Sequence, residues 1–288
     1  MTTYRIPEIA KHYLDYDMIQ KHTDLPLFPE FRTRLLYAFL NNHGTLAGYS
    51  ELYALVTSLV QLGLDTHDMV SVTNDVKEQK AARSRQLKVL AGDYFSSRFY
   101  HLLSHAGRID LIGILSAAIC EANRLKMDLY LRMKGPGMTA EDYIAQSVEA
   151  KIQVFLSFTE LLDESPEKGI WPRMLRFFTR CELLLQEISR SLSSQQYRES
   201  WGFWHVLQVG SREEQKLLRL DRPDPAKVRA IWLKYHVTSQ LYALLEACMK
   251  ELQDAVQAME SSSLQEEMFA IGEPIRHYLS APRATQEV

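Results

Sequence analysis

Asp65, Thr66, His67 and Asp68 form the densest polar cluster on an otherwise apolar stretch, preceded by LVTSLVQLGL and followed by MVSVTNDV. Asp65 and Asp68 are three residues apart, a spacing that lets one face of a helix present both carboxylates. Two carboxylates can hold a hard cation such as magnesium, and magnesium bound in that way usually serves phosphates. The same four residues also read as a polar helix end whose acids are solvated or cap the next turn.

A second cluster lies in VLAGDYFSSRFYHLL, Val89 to Leu103, where Gly92 and Asp93 interrupt a stripe that continues through Tyr94 and Phe95. Glycine inside a helix costs about 1 kcal/mol relative to alanine, so it usually permits a close helix crossing or the approach of a ligand. Asp93 on such a stripe needs a partner. Cys120, Cys181 and Cys248 are an odd number and lie far apart in sequence. They read as reduced thiols and not as a disulfide framework or a zinc site. His101, His105, His205 and His236 form no ligand-like grouping.

The elements that must position these residues are helices. Apolar residues recur at spacings of three and four almost throughout, while alternation of period two is nearly absent. Glycine and proline mark the joints at Pro26 and Pro29, Asn41 to Gly44, Gly107, Gly135 to Gly137, Gly169 with Pro172, and Pro223 with Pro225. Between them the pattern predicts helices over 5–22, 30–42, 46–69, 84–104, 108–133, 139–162, 172–190 and 226–260. Thr139 with Asp142 resembles a capping box, and Asp224-Pro225 suits a cap followed by a first-turn proline. The stretch 189–225, with Trp201, Phe203 and Trp204, has no single periodicity and reads as an irregular excursion. The polar end of the chain reads as frayed over its last residues, 279–288. The expected fold class is all-α, one helical domain over 1–288.

Composition excludes several classes. Net charge is -3 among 288 residues, with 24% charged side chains of both signs interspersed. That gives no basic face for nucleic acid. MTTYRIPEIAKHYLDYD lacks the basic and apolar regions of a signal peptide, so a cytoplasmic location is expected. Apolar runs such as Leu52 to Leu64 are broken by Thr57, Ser58 and Gln61 and fall short of the about 20 residues a membrane span needs.

An Asp-containing helix, a charged loop and then VLAGDY resembles the trans-prenyl diphosphate synthases, in which LxHDDxxD precedes a basic loop and VLAGDY. LDTHDMV together with RQLKVLAGDYFSSRFYHLLS is more closely similar to component one, the small subunit, of bacterial heptaprenyl and hexaprenyl diphosphate synthases. The close likeness covers Leu52 to Leu103 and a weaker one reaches Arg190. The resemblance implies a degenerate isoprenoid-synthase fold. In catalytic members two Asp-rich motifs hold magnesium around an allylic diphosphate, whose departure leaves the cation that isopentenyl diphosphate attacks.

Measured against that pattern, this chain has lost carboxylates. With Asp65 as the first residue of DDxxD, the second is Thr66 and the fifth is Met69, which leaves Asp68 out of place. The second motif is reduced to Gln186, Glu187, Ile188 and Ser189, with one acid. The Arg-Arg-Gly after the first motif is missing, although Lys77, Lys80, Arg83 and Arg85 keep the loop basic. The resemblance therefore implies a noncatalytic subunit that binds no cofactor alone. Its partner would be the large, catalytic second component, which holds the magnesium and meets the prenyl diphosphate substrates. Gly92, Asp93, Tyr94 and Phe95 become candidates for helix packing or the interface. Val60 and Gln61, one turn before the motif, match positions that line the tunnel floor in catalytic relatives.

Two other readings stay open. His67-Asp68 is also the dipeptide of HD-type metal phosphohydrolases, which would need a further histidine such as His43 and a distant acid such as Asp110 or Asp128. Alternatively the chain is a helical adaptor with Trp201, Phe203 and Trp204 as a binding patch.

Overall fold

The computed structural model describes residues 4–16, 19, 24–70, 79–162, 169–193 and 196–281. All of its regular structure is helical, with no strand among the described residues. The helices are α1 (Ile6–Leu14), α2 (Glu30–Asn42), α3 (Ser50–Asp68), α4 (Gln79–His105), α5 (Ile109–Lys134), α6 (Ala140–Leu156), α7 (Thr159–Leu162) and α8 (Ile170–Ser191). They continue with α9 (Trp201–Val209), α10 (Arg212–Arg219), α11 (Pro225–Lys234), α12 (Val237–Gln257) and α13 (Ser262–Ser280). A short 3-10 turn, Ala47–Tyr49, leads into α3.

The chain divides into two compact units, the first formed by Met1–Cys120 with Val154–Trp171 and the second by Glu121–Gln153 with Pro172–Val288. In the first unit α3 is the central element, buried on every side from Tyr53 to Leu64 and packed along α4 and α2. A helix buried all round must satisfy its polar side chains internally. Thr57 donates to the carbonyl of Tyr53 at 2.6 Å, Ser58 to that of Leu55 at 2.7 Å, and Thr66 to that of Leu62 at 2.6 Å. Ile6 and Ala10 of α1, Tyr37 of α2, Leu55, Leu59 and Leu62 of α3, and Ala91 and Phe95 of α4 share one apolar cluster.

The second unit differs from expectation in three places. The stretch 189–225 holds α9 and α10, each opened by a serine cap. Ser200 accepts from the amide of Phe203 at 3.2 Å, and Ser211 forms a reciprocal box with Glu214. The helix expected over 226–260 is two helices, α11 and α12, because His236 adopts a left-handed backbone at φ 48. Neither glycine nor proline marks that break. The end of the chain carries α13, capped by Ser261 and buried through Leu264, Met268, Ile271 and Ile275. Of the expected frayed tail, 279–281 are described and Ser280 is still helical, while 282–288 lie outside the described residues.

Elsewhere the boundaries moved by a few residues. Within 139–162 the helix pauses after Leu156 and resumes as α7, and of 5–22 the described helix is Ile6–Leu14. The amide of Asp142 donates to the Thr139 hydroxyl at 2.9 Å, and Asp224 caps α11 with Pro225 in its first turn.

Candidate functional site

The end of α3 turns its polar residues in different directions. Asp65 points inward, its side chain 14% exposed, and its Oδ1 accepts from the Gln61 amide at 2.9 Å. Its Oδ2 lies 4.0 Å from the guanidinium of Arg32 on α2. Arg32 is 1% exposed and its guanidinium lies over the Phe155 ring at 5.4 Å. Asp68, one turn on, is exposed. The two carboxylates expected on one face therefore serve different surroundings.

His67 reaches α4 instead. Its Nε2 lies 3.3 Å from Asp93 Oδ1, although Asp93 is exposed and not on the apolar stripe, so burial does not require that partner. Gly92 makes room for this contact, because a Cβ there would meet the His67 ring at 2.7 Å. Phe95 is fully buried, whereas Tyr94 is half-buried and carries the Arg98 guanidinium over its ring at 4.6 Å. Gly92 and Phe95 thus pack α4 on α3, while Asp93 stands at the rim. Val60 and Gln61 are both buried, and the Gln61 amide is committed to Asp65.

Magnesium demands near-octahedral oxygen ligands at about 2.0–2.1 Å and usually keeps several waters. Both Asp65 oxygens face protein groups, the Thr66 hydroxyl is bonded to Leu62, and Met69 offers no oxygen side chain. These residues do not fit the ion. Of the basic loop, Lys77 and the side chain of Lys80 lie outside the described residues, while Arg83 and Arg85 lie within the first two turns of α4.

In the second unit Glu187 of α8 is 2% exposed and fully engaged. Its Oε1 accepts from the Tyr143 hydroxyl at 3.1 Å and from Arg190 at 2.7 Å, and its Oε2 from the amide of Trp201 at 2.7 Å. The last bond satisfies one of the orphan donors that open α9. Burial, with the charge of Glu187 beside it, pushes the Tyr143 phenol well above its ordinary range. The remaining acid of the second motif is thus the hub of a helix junction. Sequence spacing gave no hint of Arg32 as a partner of Asp65 or of Tyr143 as a partner of Glu187, whereas Arg190, three residues beyond Glu187 on the same helix, stands at a spacing that suits an ion pair.

The ligands of the hydrolase reading are occupied in other ways. His43 Nδ1 lies 3.3 Å from the Thr45 hydroxyl, Asp110 pairs with Arg108 at 2.8 Å, and Asp128 with Arg124 at 2.7 Å. Among the described residues no three His, Cys, Asp or Glu side chains gather as a metal site. Trp201, Phe203 and Trp204 are buried, so they form core and not the exposed patch of the adaptor reading.

The profile of the heptaprenyl diphosphate synthase (HEPPP synthase) subunit 1 family matches residues 16–200. The chain belongs to that family. Heptaprenyl diphosphate synthase component 1 of Geobacillus stearothermophilus is 37% identical over 91 residues, a match spanning 32% of this chain and 39% of that relative's length. Decaprenyl diphosphate synthase from Rhodobacter capsulatus has a TM-score of 0.68 at 13% identity, covering 95% of each chain. Geranylgeranyl pyrophosphate synthase from Lactobacillus brevis also scores 0.68, at 14% identity over 92% of this chain and 94% of its own. A polyprenyl synthase from Caulobacter crescentus, complexed with calcium and isoprenyl diphosphate, scores 0.66 at 13% identity over 93% and 92%. At such identities the likeness establishes the fold, the all-helical fold of the polyprenyl synthases. Among the described residues no helix of this subunit 1 family member is long and apolar enough to cross a membrane.

Proposed function

We propose that this chain is the small, noncatalytic subunit of a two-component synthase of long all-trans polyprenyl diphosphates. It supports chain elongation by a large subunit that holds the magnesium, in the cytoplasm, and the product supplies the side chain of menaquinone. One observation carries the reading. The acid that heads the first motif is committed to Arg32 and Gln61, so its charge is neutralised inside the protein and not offered to a diphosphate-bound cation. A departing diphosphate needs positive charge fixed beside it, and a site that spends its carboxylate internally cannot recruit that charge.

The family name, with its subunit number, supports the need for a partner. In this reading the partner contributes the metal-binding carboxylates, while this chain contributes helices that complete the assembly. The hydrolase and adaptor readings have no such support, since their ligands are dispersed and their aromatic residues are buried.

Reconstitution tests the proposal. The chain alone, the large subunit alone and the mixture are each given farnesyl diphosphate, isopentenyl diphosphate and magnesium, and the labelled products are separated by length. Elongation is expected from the mixture only. Strong elongation by this chain alone refutes the noncatalytic role, and a large subunit unaffected by its presence refutes the partnership.

A further inference from the structure

Two of the three cysteines, 67 positions apart, meet in the interior of the second unit. Cys181 of α8 and Cys248 of α12 are both fully buried, and their sulfurs lie 3.3 Å apart. Met249 brings a third sulfur to 3.7 Å from Cys181. The pair is not simply two inert thiols in oil. Cys181 donates to the Cys248 sulfur, and Cys248 in turn faces the carbonyl of Phe177 at 3.8 Å. Arg180, next to Cys181 in sequence, pairs with Glu251 at 3.8 Å, and both of those side chains are exposed.

We propose that Cys181 and Cys248 are an oxidisable thiol pair, closed by hydroperoxides into a disulfide that staples α8 to α12. Bond formation brings the sulfurs to about 2.05 Å, an approach of roughly 1.2 Å, which small shifts of two adjacent helices can supply. The roles follow from the hydrogen bond. Accepting from Cys181, and helped by Arg180, the Cys248 thiol is held below its ordinary range, whereas donation and burial push Cys181 up. Cys248 is the attacking thiolate and Cys181 the resolving thiol.

The chemistry balances. The Cys248 thiolate attacks one oxygen of hydrogen peroxide and breaks the O–O bond, leaving a sulfenic acid and a hydroxide that takes up the proton Cys248 released. Cys181 then loses its proton and attacks the sulfenic sulfur. The S–O bond breaks, the S–S bond forms, and the departing hydroxide leaves as a second water. The sulfurs give up two electrons together and the peroxide accepts them. Nothing in this proposal depends on the prenyl-synthase reading.

The test oxidises the native full chain with hydrogen peroxide, alkylates the remaining thiols after unfolding, and maps tryptic peptides. A dithiothreitol-sensitive link between CELLLQEISR and YHVTSQLYALLEACMK, with alkylation confined to Cys120, is the expected result. The oxidised chain is also expected to melt several degrees higher, because the bond closes a long loop. Cys120→Ser should behave alike, and Cys181→Ala should stop at a sulfenic acid on Cys248. Recovery of both Cys181 and Cys248 as alkylated thiols overturns the proposal, as does oxidation of Cys248 or Met249 without the link. Should Cys181→Ala not fold, the wild-type peptide map decides alone.

Discussion

Gly63 of α3 faces Gly92 of α4 so closely that a Cβ on Gly63 would lie 2.9 Å from the Gly92 carbonyl oxygen and 3.0 Å from Ser96. A Cβ on Gly92 would instead meet the His67 ring, the movable end of a partly exposed side chain. The two substitutions should therefore differ although both gain up to about 1 kcal/mol of helix propensity. Gly63→Ala is expected to lose about 1–3 kcal/mol, because backbone cannot step aside. Gly92→Ala should stay within about 1 kcal/mol of wild type while displacing His67 from Asp93. Urea denaturation of both variants checks the order, and equal losses would contradict it.

Arg32 and Asp65 make a second prediction. Arg32→Met removes the guanidinium that faces a largely buried carboxylate, and Asp65→Leu removes the carboxylate that faces a buried guanidinium over Phe155. Each is expected to cost about 3 kcal/mol, whereas the double variant should cost clearly less than their sum. A double-mutant cycle by chemical denaturation measures the coupling. Since the Asp65 oxygens face protein groups, magnesium should leave the wild-type melting temperature unchanged.

Glu187 is the third. Alanine there strips Tyr143, Arg190 and the amide of Trp201 of one shared acceptor in the interior. A loss of about 3 kcal/mol is expected. Hydrogen exchange should locate it, with the first amides of α9 exchanging faster in Glu187→Ala than in wild type.

Acid should act through Glu214. Bonds from Lys234 at 2.7 Å and the Tyr235 hydroxyl at 2.7 Å, with the backbone amide of Ser211, hold its carboxyl down to about 2. Its unfolded value is about 4.3. A depressed folded value stabilises the protein above the unfolded one, and that contribution disappears as pH falls from about 5 towards about 2. Urea midpoints over that interval should fall less steeply in Glu214→Gln than in wild type, and identical slopes would count against the assignment.

Much of this molecule follows from local pattern. Spacings of three and four made α2 through α6 and α8 visible within a few residues, because each buries apolar positions that recur at helical spacing, and Thr139 and Asp224 marked two helix starts by side-chain chemistry alone. Two further signals stood in the same text. Ser211 with Glu214 spells a capping box, and Leu264, Met268, Ile271 and Ile275 repeat at helical spacing, so α10 and α13 were legible too.

Other features depended on residues far apart in the chain. The break at His236 carries no glycine or proline, and its left-handed backbone lies between the last bond of one helix, from its amide to Leu233, and the first of the next, from the Gln240 amide to its own carbonyl. Local order placed Asp65 beside Asp68 as a metal-binding pair, yet Asp65 turns inward towards Arg32, 33 positions earlier, while Asp68 stands exposed. Nor could spacing bring Cys181 to Cys248 or Glu187 to Tyr143. Side-chain pattern reports the periodicity of a helix and the chemistry of its ends, because both act over a few residues. Which charge meets which, and where in the interior, is decided only when helices pack and each buried polar group must find a partner.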